Sequence, residues 1–370
     1  MRVCHVINRL SSGGAQSVVQ DIVRGASDIE YTICCLEASL EYELADTDIR
    51  VLNFDEQFKF DPRMLSRLFR FLQKEQFDVL HLHLPYSQVV GRVLSRVTGV
   101  DHVVSTFHSQ PDNYHPVTRT LERITRPIDT VSVAVSKGVQ RAHGGEASCY
   151  DGEVSDGWCT IYNGIDVERF RSNVTNADEN PLRRRYDLGD APVFLNASRY
   201  IPAKAQKDAI RAMSHVIDEY PNAMLFIIGR GPLQDELRDE VVKLGLEDNV
   251  KIPGFASGEE LYAYYSVSDG FVLPSISEGF GIVLIEAMAA GIPVVATDIP
   301  GVNEVVVDGE TGRIVPAKDP EQLATGMEDI VEPTNRETYA ASAFRRVKAQ
   351  FDIENMSASY VDLYRRVSQS

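Results

Sequence analysis

The sequence predicts a doubly wound α/β protein built from two Rossmann-like halves. Short β-rich runs alternate with helical patterns along the whole chain. These runs are apolar nearly throughout, as expected of parallel strands that helices cover on both faces. The alternation stops at a polar segment, 171–192, and then starts again. Because 370 residues are too many for one ordinary core, two domains are expected.

Eleven apolar runs carry this prediction. Those of the first half are RVCHVIN, YTICCL, DVLHLHL, HVVSTFH and TVSVAVS, separated by helical patterns such as 14–24 and 61–76. Those of the second half are VFLNAS, AMLFIIG, NVKIPG, GFVLPS, IPVVAT and GRIVP. A last amphipathic pattern lies near 352–367. We therefore expect one domain at 1–168, a second at 169–350, and a C-terminal helix within 351–370.

Composition and charge exclude several classes of protein. Hydrophobic residues make up 44% of the chain and charged residues 25%, as in ordinary soluble proteins. No apolar run approaches about 18 residues, and the N-terminus lacks the features of a signal peptide, so we expect a cytoplasmic protein. A formal net charge of −17 argues against nucleic acid as a partner. The five cysteines show no zinc spacing and are expected to be reduced thiols.

The predicted helix 61–75 carries a basic face. Apolar residues occupy its opposite side, and the basic residues recur at helical spacing: Arg63, Arg67, Arg70 and Lys74. Such a face fits peripheral contact with the anionic inner face of a membrane. An ordinary Rossmann helix with a solvated basic face is the simpler interpretation, and membrane contact is the alternative to it.

Two glycine-containing turns follow strands and open helices. In SSGGAQSVV, residues 11–19, Gly13 and Gly14 allow backbone N–H groups to approach an anion at a helix N-terminus. In FIIGRGPLQDEL, Gly229 and Gly231 allow a similarly close approach to a ligand. Each turn also fits a purely structural connection, so the glycines alone do not decide between the two.

Two cations follow the first strand of the second half, in ASRYIPAKAQKDAIRA. Arg199 and Lys204 are five positions apart across a loop, and together they fit a diphosphate held without a metal ion. Lys207 competes for the role of the lysine. Solvated loop charges are the alternative interpretation.

The stretch SEGFGIVLIE places Glu278 in a loop and Glu286 on the second turn of a predicted helix. The free N–H groups near Gly281, Ile282 and Val283 favour an anion. A carboxylate would repel a phosphate, so the two glutamates are expected to bind hydroxyl groups. The arrangement is that of a sugar-nucleotide site, with Glu286 on the ribose and Glu278 on the sugar. A solvated Glu286 is the alternative.

These residues resemble the retaining GT-B glycosyltransferases of family 4. The resemblance covers nearly the whole chain and is most specific in the E-x7-E element of SEGFGIVLIE and the sequence after it, to GRIVP. The segments SSGGAQ, IYNGIDVERF, SRYIPAKAQ and IIGRGPL follow in the order of that family. The resemblance implies two Rossmann-like domains facing across a cleft, with the donor mainly on the second and the C-terminal helix crossing back to the first.

The resemblance also implies roles for single residues. Arg199 and Lys204 would bind the donor diphosphate and, with Glu278 on the sugar, support catalysis. The Gly13–Gly14 turn would contact the diphosphate from the first domain, and Gly229 would line the donor site. His108, in STFHSQ, would position the sugar. His83 is expected to line the cleft, whereas His81 is expected to be packed.

The implied reaction is metal-independent transfer of a hexose-type sugar from a UDP- or GDP-sugar to an acceptor hydroxyl, with retention of configuration. No cofactor is expected beyond the donor substrate, and the acceptor is a glycan, a lipid-linked glycan or a small molecule. A sugar-nucleotide 2-epimerase of the same architecture is an alternative, although no match to its catalytic carboxylates is found. A sugar-nucleotide-binding protein without turnover is another, and the intact Glu278, Glu286, Arg199 and Lys204 weigh against it.

Overall fold

The computed structural model describes residues 1–10, 13–25, 28–38 and 49–369. The chain divides into two units, and each contains one parallel β-sheet. Unit 1 is formed by Met1–Gly164 together with Ile353–Ser370, and unit 2 by Ile165–Asp352. These sheets confirm the predicted fold class of two Rossmann-like domains.

The strands are short and apolar. In the described residues they are β1 Arg2–Ile7, β2 Glu30–Cys35, β3 Arg50–Asn53, β4 Val79–His83, β5 His102–Phe107, β6 Val131–Ala134, β7 Trp158–Thr160, β8 Val193–Ala197, β9 Met224–Ile228, β10 Val250–Gly254, β11 Gly270–Leu273, β12 Val294–Thr297 and β13 Gly312–Val315. All eleven predicted runs form strands. Two further strands, β3 and β7, are too short to stand out in the sequence.

Helices connect most of the strands. In the described residues they are α1 Gly14–Arg24, α2 Pro62–Glu75, α3 Pro85–Thr98, α4 Pro116–Thr125, α5 Lys137–Ala142, α6 Val167–Thr175, α7 Asn180–Tyr186, α8 Gln206–Glu219, α9 Gln234–Leu244, α10 Glu259–Ser266, α11 Ile282–Ala289, α12 Val302–Val305, α13 Pro320–Val331, α14 Pro333–Gln350 and α15 Ile353–Val367. Within the described ranges, no helix is long and apolar enough to cross a membrane.

Each sheet has a point at which the strand order reverses. The order in unit 1 is β3-β2-β1-β4-β5-β6-β7, and the order in unit 2 is β10-β9-β8-β11-β12-β13. At such a point the loops after two neighbouring strands run to opposite faces of the sheet and leave a crevice at its carboxyl edge. The loops after β1 and β4, and after β8 and β11, are therefore the places where a ligand is expected.

The C-terminal helix α15 packs within unit 1. Tyr360 and Tyr364 are fully buried, and their hydroxyls contact Thr106 and His81 at 3.1 and 2.6 Å. The chain leaves and re-enters unit 1 at one place, where the N–H of Ile165 donates to the carbonyl of Phe351 at 3.0 Å. The division consequently lies four residues before the expected end of the first domain at 168.

Candidate functional site

The loop after β8 presents the two predicted cations differently. Arg199 is exposed, and its guanidinium makes no hydrogen bond or ion pair with any residue that the structure describes. Lys204 is half-buried, and its ammonium forms an ion pair with Glu278. The buried amide of Gln206 donates to the carbonyl of Arg199 at 2.7 Å and fixes the loop backbone. The competing Lys207 instead pairs with Glu236 at 2.8 Å.

The loop after β11 holds Glu278 against Lys204. The hydroxyl of Ser275, which is fully buried, donates to Oε1 of Glu278 at 3.0 Å. The backbone joins the two loops as well, because the N–H of Ile276 donates to the carbonyl of Ala203 at 2.9 Å. Two loops on either side of the reversal in strand order thus bring a cation and a carboxylate into direct contact.

Helix α11 begins directly after that loop. Gly281 precedes the helix with a φ of 91°, in the left-handed region that favours glycine, and has no side-chain cap. Ile282 and Val283, both half-buried, form its first turn, which contains no acidic residue. The free N–H groups of this turn and the helix dipole favour an anion at the same end of the sheet as Lys204.

Glu286 lies on the second turn of α11 beside a buried tyrosine. The hydroxyl of Tyr265 donates to Oε2 of Glu286 at 2.9 Å. Burial raises the pKa of Glu286, and the hydrogen bond from Tyr265 opposes that rise. Tyr265 was not predicted, because in the sequence it belongs to the unremarkable apolar pattern of α10. The carboxylate of Glu286 is therefore fixed by a hydrogen bond and is not freely solvated.

The glycines after β9 have a structural reason. Gly229 and Gly231 adopt φ values of 152° and 159°, and a Cβ at either would overlap the backbone carbonyls of Ser198 and Tyr200. The two glycines therefore let this turn pack closely on the segment that carries Arg199. Contact between Gly229 and a ligand remains a prediction.

In unit 1, the predicted glycine turn begins helix α1 at the carboxyl end of β1. The carbonyl of Gly13 accepts the N–H groups of Gln16 and Ser17 at 3.1 and 3.0 Å, and Gly14 is the first helical residue. Among the residues that the structure describes, no side chain caps this terminus. Ser11 and Ser12, which open the predicted motif, lie outside the described residues.

His108 follows β5 and is half-buried. Burial lowers its pKa to about 3, so the ring is neutral at physiological pH. Its Nε2 lies 3.2 Å from Nδ1 of His83. His81 and His83 are both fully buried. The packing of His81 is confirmed. His83, which was expected to line the cleft, is buried as well, because β4 is central in the sheet and every one of its residues is buried.

Unit 2 therefore places complementary groups at the carboxyl edge of one sheet. Arg199, Lys204 and the start of α11 suit a multiply charged anion. Glu278 and Glu286 suit hydroxyl groups, which donate to carboxylates. A phosphorylated sugar derivative has both kinds of group.

Two family models match the chain. Residues 178–346 match the one described as Glycosyl transferases group 1, and residues 12–169 match the one described as Glycosyltransferase Family 4. The first match covers most of unit 2, including both loops and α11.

Relatives and solved structures agree with these matches. The GDP-mannose-dependent alpha-(1-6)-phosphatidylinositol monomannoside mannosyltransferase of Mycolicibacterium smegmatis is 29% identical over 289 residues, 75% of this chain and 73% of that protein. The phosphatidyl-myo-inositol mannosyltransferase of Mycobacterium leprae is 30% identical over 325 residues, 85% of this chain and 80% of that protein. The crystal structure of Anabaena HepE in complex with UDP and glucose superposes with a TM-score of 0.85, at 21% identity, over 99% of this chain and 100% of that one.

Proposed function

The chain belongs to glycosyltransferase family 4, and we propose that it transfers a hexose from a nucleoside diphosphate to an acceptor hydroxyl with retention of anomeric configuration. It is a hexosyltransferase that uses a nucleotide-sugar donor. The observation that carries the finer proposal is the contact between Lys204 and Glu278, which joins the loops after β8 and β11. One loop supplies positive charge for a phosphate, and the other supplies an acceptor for a sugar hydroxyl.

The costly step in such a reaction is departure of the diphosphate while the sugar gains oxocarbenium character. Arg199, Lys204 and the N-terminus of α11 would stabilise the negative charge that accumulates on the leaving oxygen. These groups support a reaction that requires no metal ion. In this mechanism the leaving phosphate accepts the proton of the attacking hydroxyl, and no side chain forms a covalent intermediate.

Binding of the donor would rearrange the contact between Lys204 and Glu278. The ammonium of Lys204 would turn toward the diphosphate, which carries more negative charge than one carboxylate. The oxygens of Glu278 would then accept hydroxyl hydrogens of the sugar, while Ser275 holds the carboxylate in place. Glu286, held by Tyr265, would accept the ribose hydroxyls.

Residues of unit 1 complete the proposal. His108 would contact a hydroxyl of the sugar, and the N–H groups at Gly13 and Gly14 would contact a phosphate. Both rest on the family resemblance. Two observations support these roles: the ring of His108 is neutral, and no described side chain caps the start of α1.

Relatives guide the choice of substrates. Two are named as mannosyltransferases, and one of these names specifies GDP-mannose as the donor. Both names mention an inositol phospholipid. GDP-mannose is therefore the first donor to test, with UDP-sugars next, and a lipid-linked hydroxyl is the first acceptor. A thermal-shift screen of sugar nucleotides would identify the donor, since a ligand that binds only the folded state raises the melting temperature.

Three single variants test the proposed diphosphate site. Arg199→Ala and Lys204→Ala should each lower kcat by about 100- to 1,000-fold, the usual effect of removing a group that stabilises transition-state charge. Lys207→Ala, which removes a nearby lysine paired with Glu236, is the matched control and should retain activity. Rates are measured by nucleotide release with a chelator present.

Normal turnover in both Arg199→Ala and Lys204→Ala would contradict the diphosphate assignment. Strict loss of activity with the chelator would contradict metal independence. Conversion of the donor to an isomeric sugar nucleotide without any acceptor would indicate an epimerase instead.

A further inference from the structure

Three histidines of unit 1 form a chain of hydrogen bonds. His5 lies on β1, His83 ends β4 and His108 follows β5. Nδ1 of His5 lies 2.9 Å from Nε2 of His83, and Nδ1 of His83 lies 3.2 Å from Nε2 of His108. His5 and His83 have no exposed surface, whereas His108 is half-buried. The chain therefore connects the interior of the unit to a partly accessible imidazole.

The register of the sheet places these rings together. β1 and β4 pair in parallel with His5 opposite His81, and side chains two residues apart on a strand point to the same face. His83 thus lies on the same face as His5, one step nearer the carboxyl edge. His81 stays outside the chain, since its two nitrogens contact Tyr364 and Thr106 at 2.6 and 2.7 Å.

Burial keeps the three rings neutral. It lowers the pKa of His5 and of His108 to about 3, and it lowers the pKa of His83 well below its usual range. A neutral imidazole carries one proton, so it donates from one nitrogen and accepts at the other. His83 can donate to only one of its neighbours, and that choice determines the donor in both hydrogen bonds. The chain has only two possible proton arrangements.

The inner end of the chain distinguishes the two arrangements. Nε2 of His5 is buried and has no hydrogen-bond partner among the described residues. In one arrangement this atom is a bare acceptor, and in the other it carries an unpaired proton. Buried N–H donors without a hydrogen-bond partner are rare in proteins. The structure therefore favours protons on Nδ1 of His5, of His83 and of His108.

We propose that His5 and His83 are positioning residues that fix the tautomer of His108, so that its Nδ1 carries the proton and donates to an oxygen atom of the substrate. The proposal rests on the proposed function, in which His108 contacts the donor sugar. It adds that His108 is the hydrogen-bond donor in that contact. With a proton on Nδ1, His108 cannot accept the proton of the attacking hydroxyl at that atom, in agreement with a reaction in which the leaving phosphate does so.

Two members of the chain, together with His81, are also close enough to hold a metal ion. One ring nitrogen each of His5, His81 and His83 lies within 4.8 Å of the others. However, both nitrogens of His81 and both of His83 are hydrogen bonded, so a metal with three of these ligands would break at least two of the hydrogen bonds. The hydrogen-bonded chain is the arrangement that the observed contacts favour.

Nuclear magnetic resonance tests the tautomer directly. The full-length protein is labelled with ¹⁵N-histidine, and long-range proton–nitrogen correlations show which ring nitrogen carries the proton. A His108→Gln variant identifies the signals of His108. We expect a protonated Nδ1 in the wild-type protein without substrate. A protonated Nε2, or a metal ion bound in stoichiometric amount, would overturn the proposal.

Variants test how the chain acts on the substrate. In His83→Leu, the tautomer of His108 should no longer be fixed. The KM for the sugar nucleotide should then rise about three- to tenfold, which corresponds to the free energy of one hydrogen bond. Binding of the bare nucleoside diphosphate should not change. His81→Leu, an equally buried substitution outside the chain, should leave the signals of His108 as they are.

An unchanged His108 spectrum in His83→Leu, or equal effects of the two leucine variants, would overturn the role of the chain. If His83→Leu does not fold, the wild-type spectrum still decides the tautomer. That spectrum needs no turnover, so its outcome is independent of the transfer assay. Absence of sugar transfer by the wild-type protein would contradict the proposed function instead.

Discussion

The ion pair between Glu278 and Lys204 determines what a substitution of Glu278 should do to ligand binding. Because Glu278 pairs with Lys204 in the protein without ligand, removing its carboxylate also releases the lysine. Glu278→Ala should weaken binding of the sugar nucleotide about ten- to 100-fold, as expected for hydrogen bonds to a charged acceptor. Binding of the bare nucleoside diphosphate should stay the same or become tighter, since Lys204 loses a competing anion. Titration calorimetry with both ligands measures the two effects.

A second glutamate of unit 2 provides the control for that experiment. Glu236→Ala removes an exposed carboxylate that pairs with Lys207, and it should change neither affinity. Equal weakening of both ligands by Glu278→Ala would show that this residue does not contact the sugar.

Glu286 should make nucleotide binding depend on pH. Its folded-state pKa is raised by burial, so the folded protein binds a proton here more readily than the unfolded chain. Without ligand, burying the ionised carboxylate lowers the free energy of unfolding. This loss of stability disappears as the pH falls through the raised pKa. Nucleotide affinity should fall over the same pH range, because in the proposed function Glu286 accepts the ribose hydroxyls and only an ionised carboxylate can accept two hydroxyl hydrogens. Affinity measured from neutral to acidic pH should fall through that pKa.

The hydrogen bond from Tyr265 lowers the pKa of Glu286, so Tyr265→Phe should move the loss of affinity to higher pH. Tyr262→Phe changes a neighbouring tyrosine of the same helix that is not bonded to Glu286, and it should leave the midpoint unchanged. A common midpoint for wild type and both variants would mean that Glu286 does not bind the ribose.

At the scale of secondary structure, periodicity predicted the strands that carry long apolar runs and missed those that do not. β4 was evident because all five of its residues are apolar or histidine and all are buried. β3, by contrast, has only four residues, with Arg50 and Asn53 exposed, and its place at the edge of the sheet requires little apolar surface. β7 has three residues, and its pairing with β6 is set by tertiary contacts. The sequence of a short edge strand contains too little periodicity to reveal it.

The residues of the candidate site divide in the same way into those that stand out in the sequence and those that do not. The charged and glycine residues of the loops were evident because each type suggests a definite chemistry. The residues that hydrogen bond to them were not evident, because Tyr265, Ser275 and His5 look like ordinary residues of the fold in the sequence. Only the fold brings them to Glu286, Glu278 and His83, respectively. Contacts between distant segments leave no local pattern.

We propose that the basic face of helix α2 attaches the protein to anionic membranes. Arg63, Arg67, Arg70 and Lys74 are exposed as predicted, and Met64, Leu68 and Leu72 are buried on the other side. Screening limits electrostatic attraction to about 8 Å at physiological salt, so this face acts locally despite the negative net charge. Each basic residue near such a surface contributes about 1 kcal/mol. Sedimentation with phosphatidylglycerol vesicles measures the binding.

The double variant Arg63→Glu/Lys74→Glu should weaken this binding at least about tenfold, since two favourable charges become unfavourable. Arg238→Glu/Lys243→Glu changes the net charge equally on α9 of unit 2, where both residues are exposed, and should have little effect. Equal losses in the two double variants would show that net charge, and not the face of α2, governs attachment.

For the molecule as a whole, the dominant electrostatic quantity is the net charge of −17. Self-repulsion at that charge destabilises the folded state, and salt screens it. Salt also weakens exposed ion pairs such as Arg365–Asp28, but a single exposed pair contributes only about 0–1 kcal/mol. Buried pairs such as Arg92–Asp129 are little affected, since salt screens them much less. The melting temperature should therefore rise as KCl is raised from low to molar concentration. Sucrose at equal osmolality controls for effects that do not depend on charge, and a melting temperature that falls with added KCl would show that attractive surface pairs outweigh the repulsion.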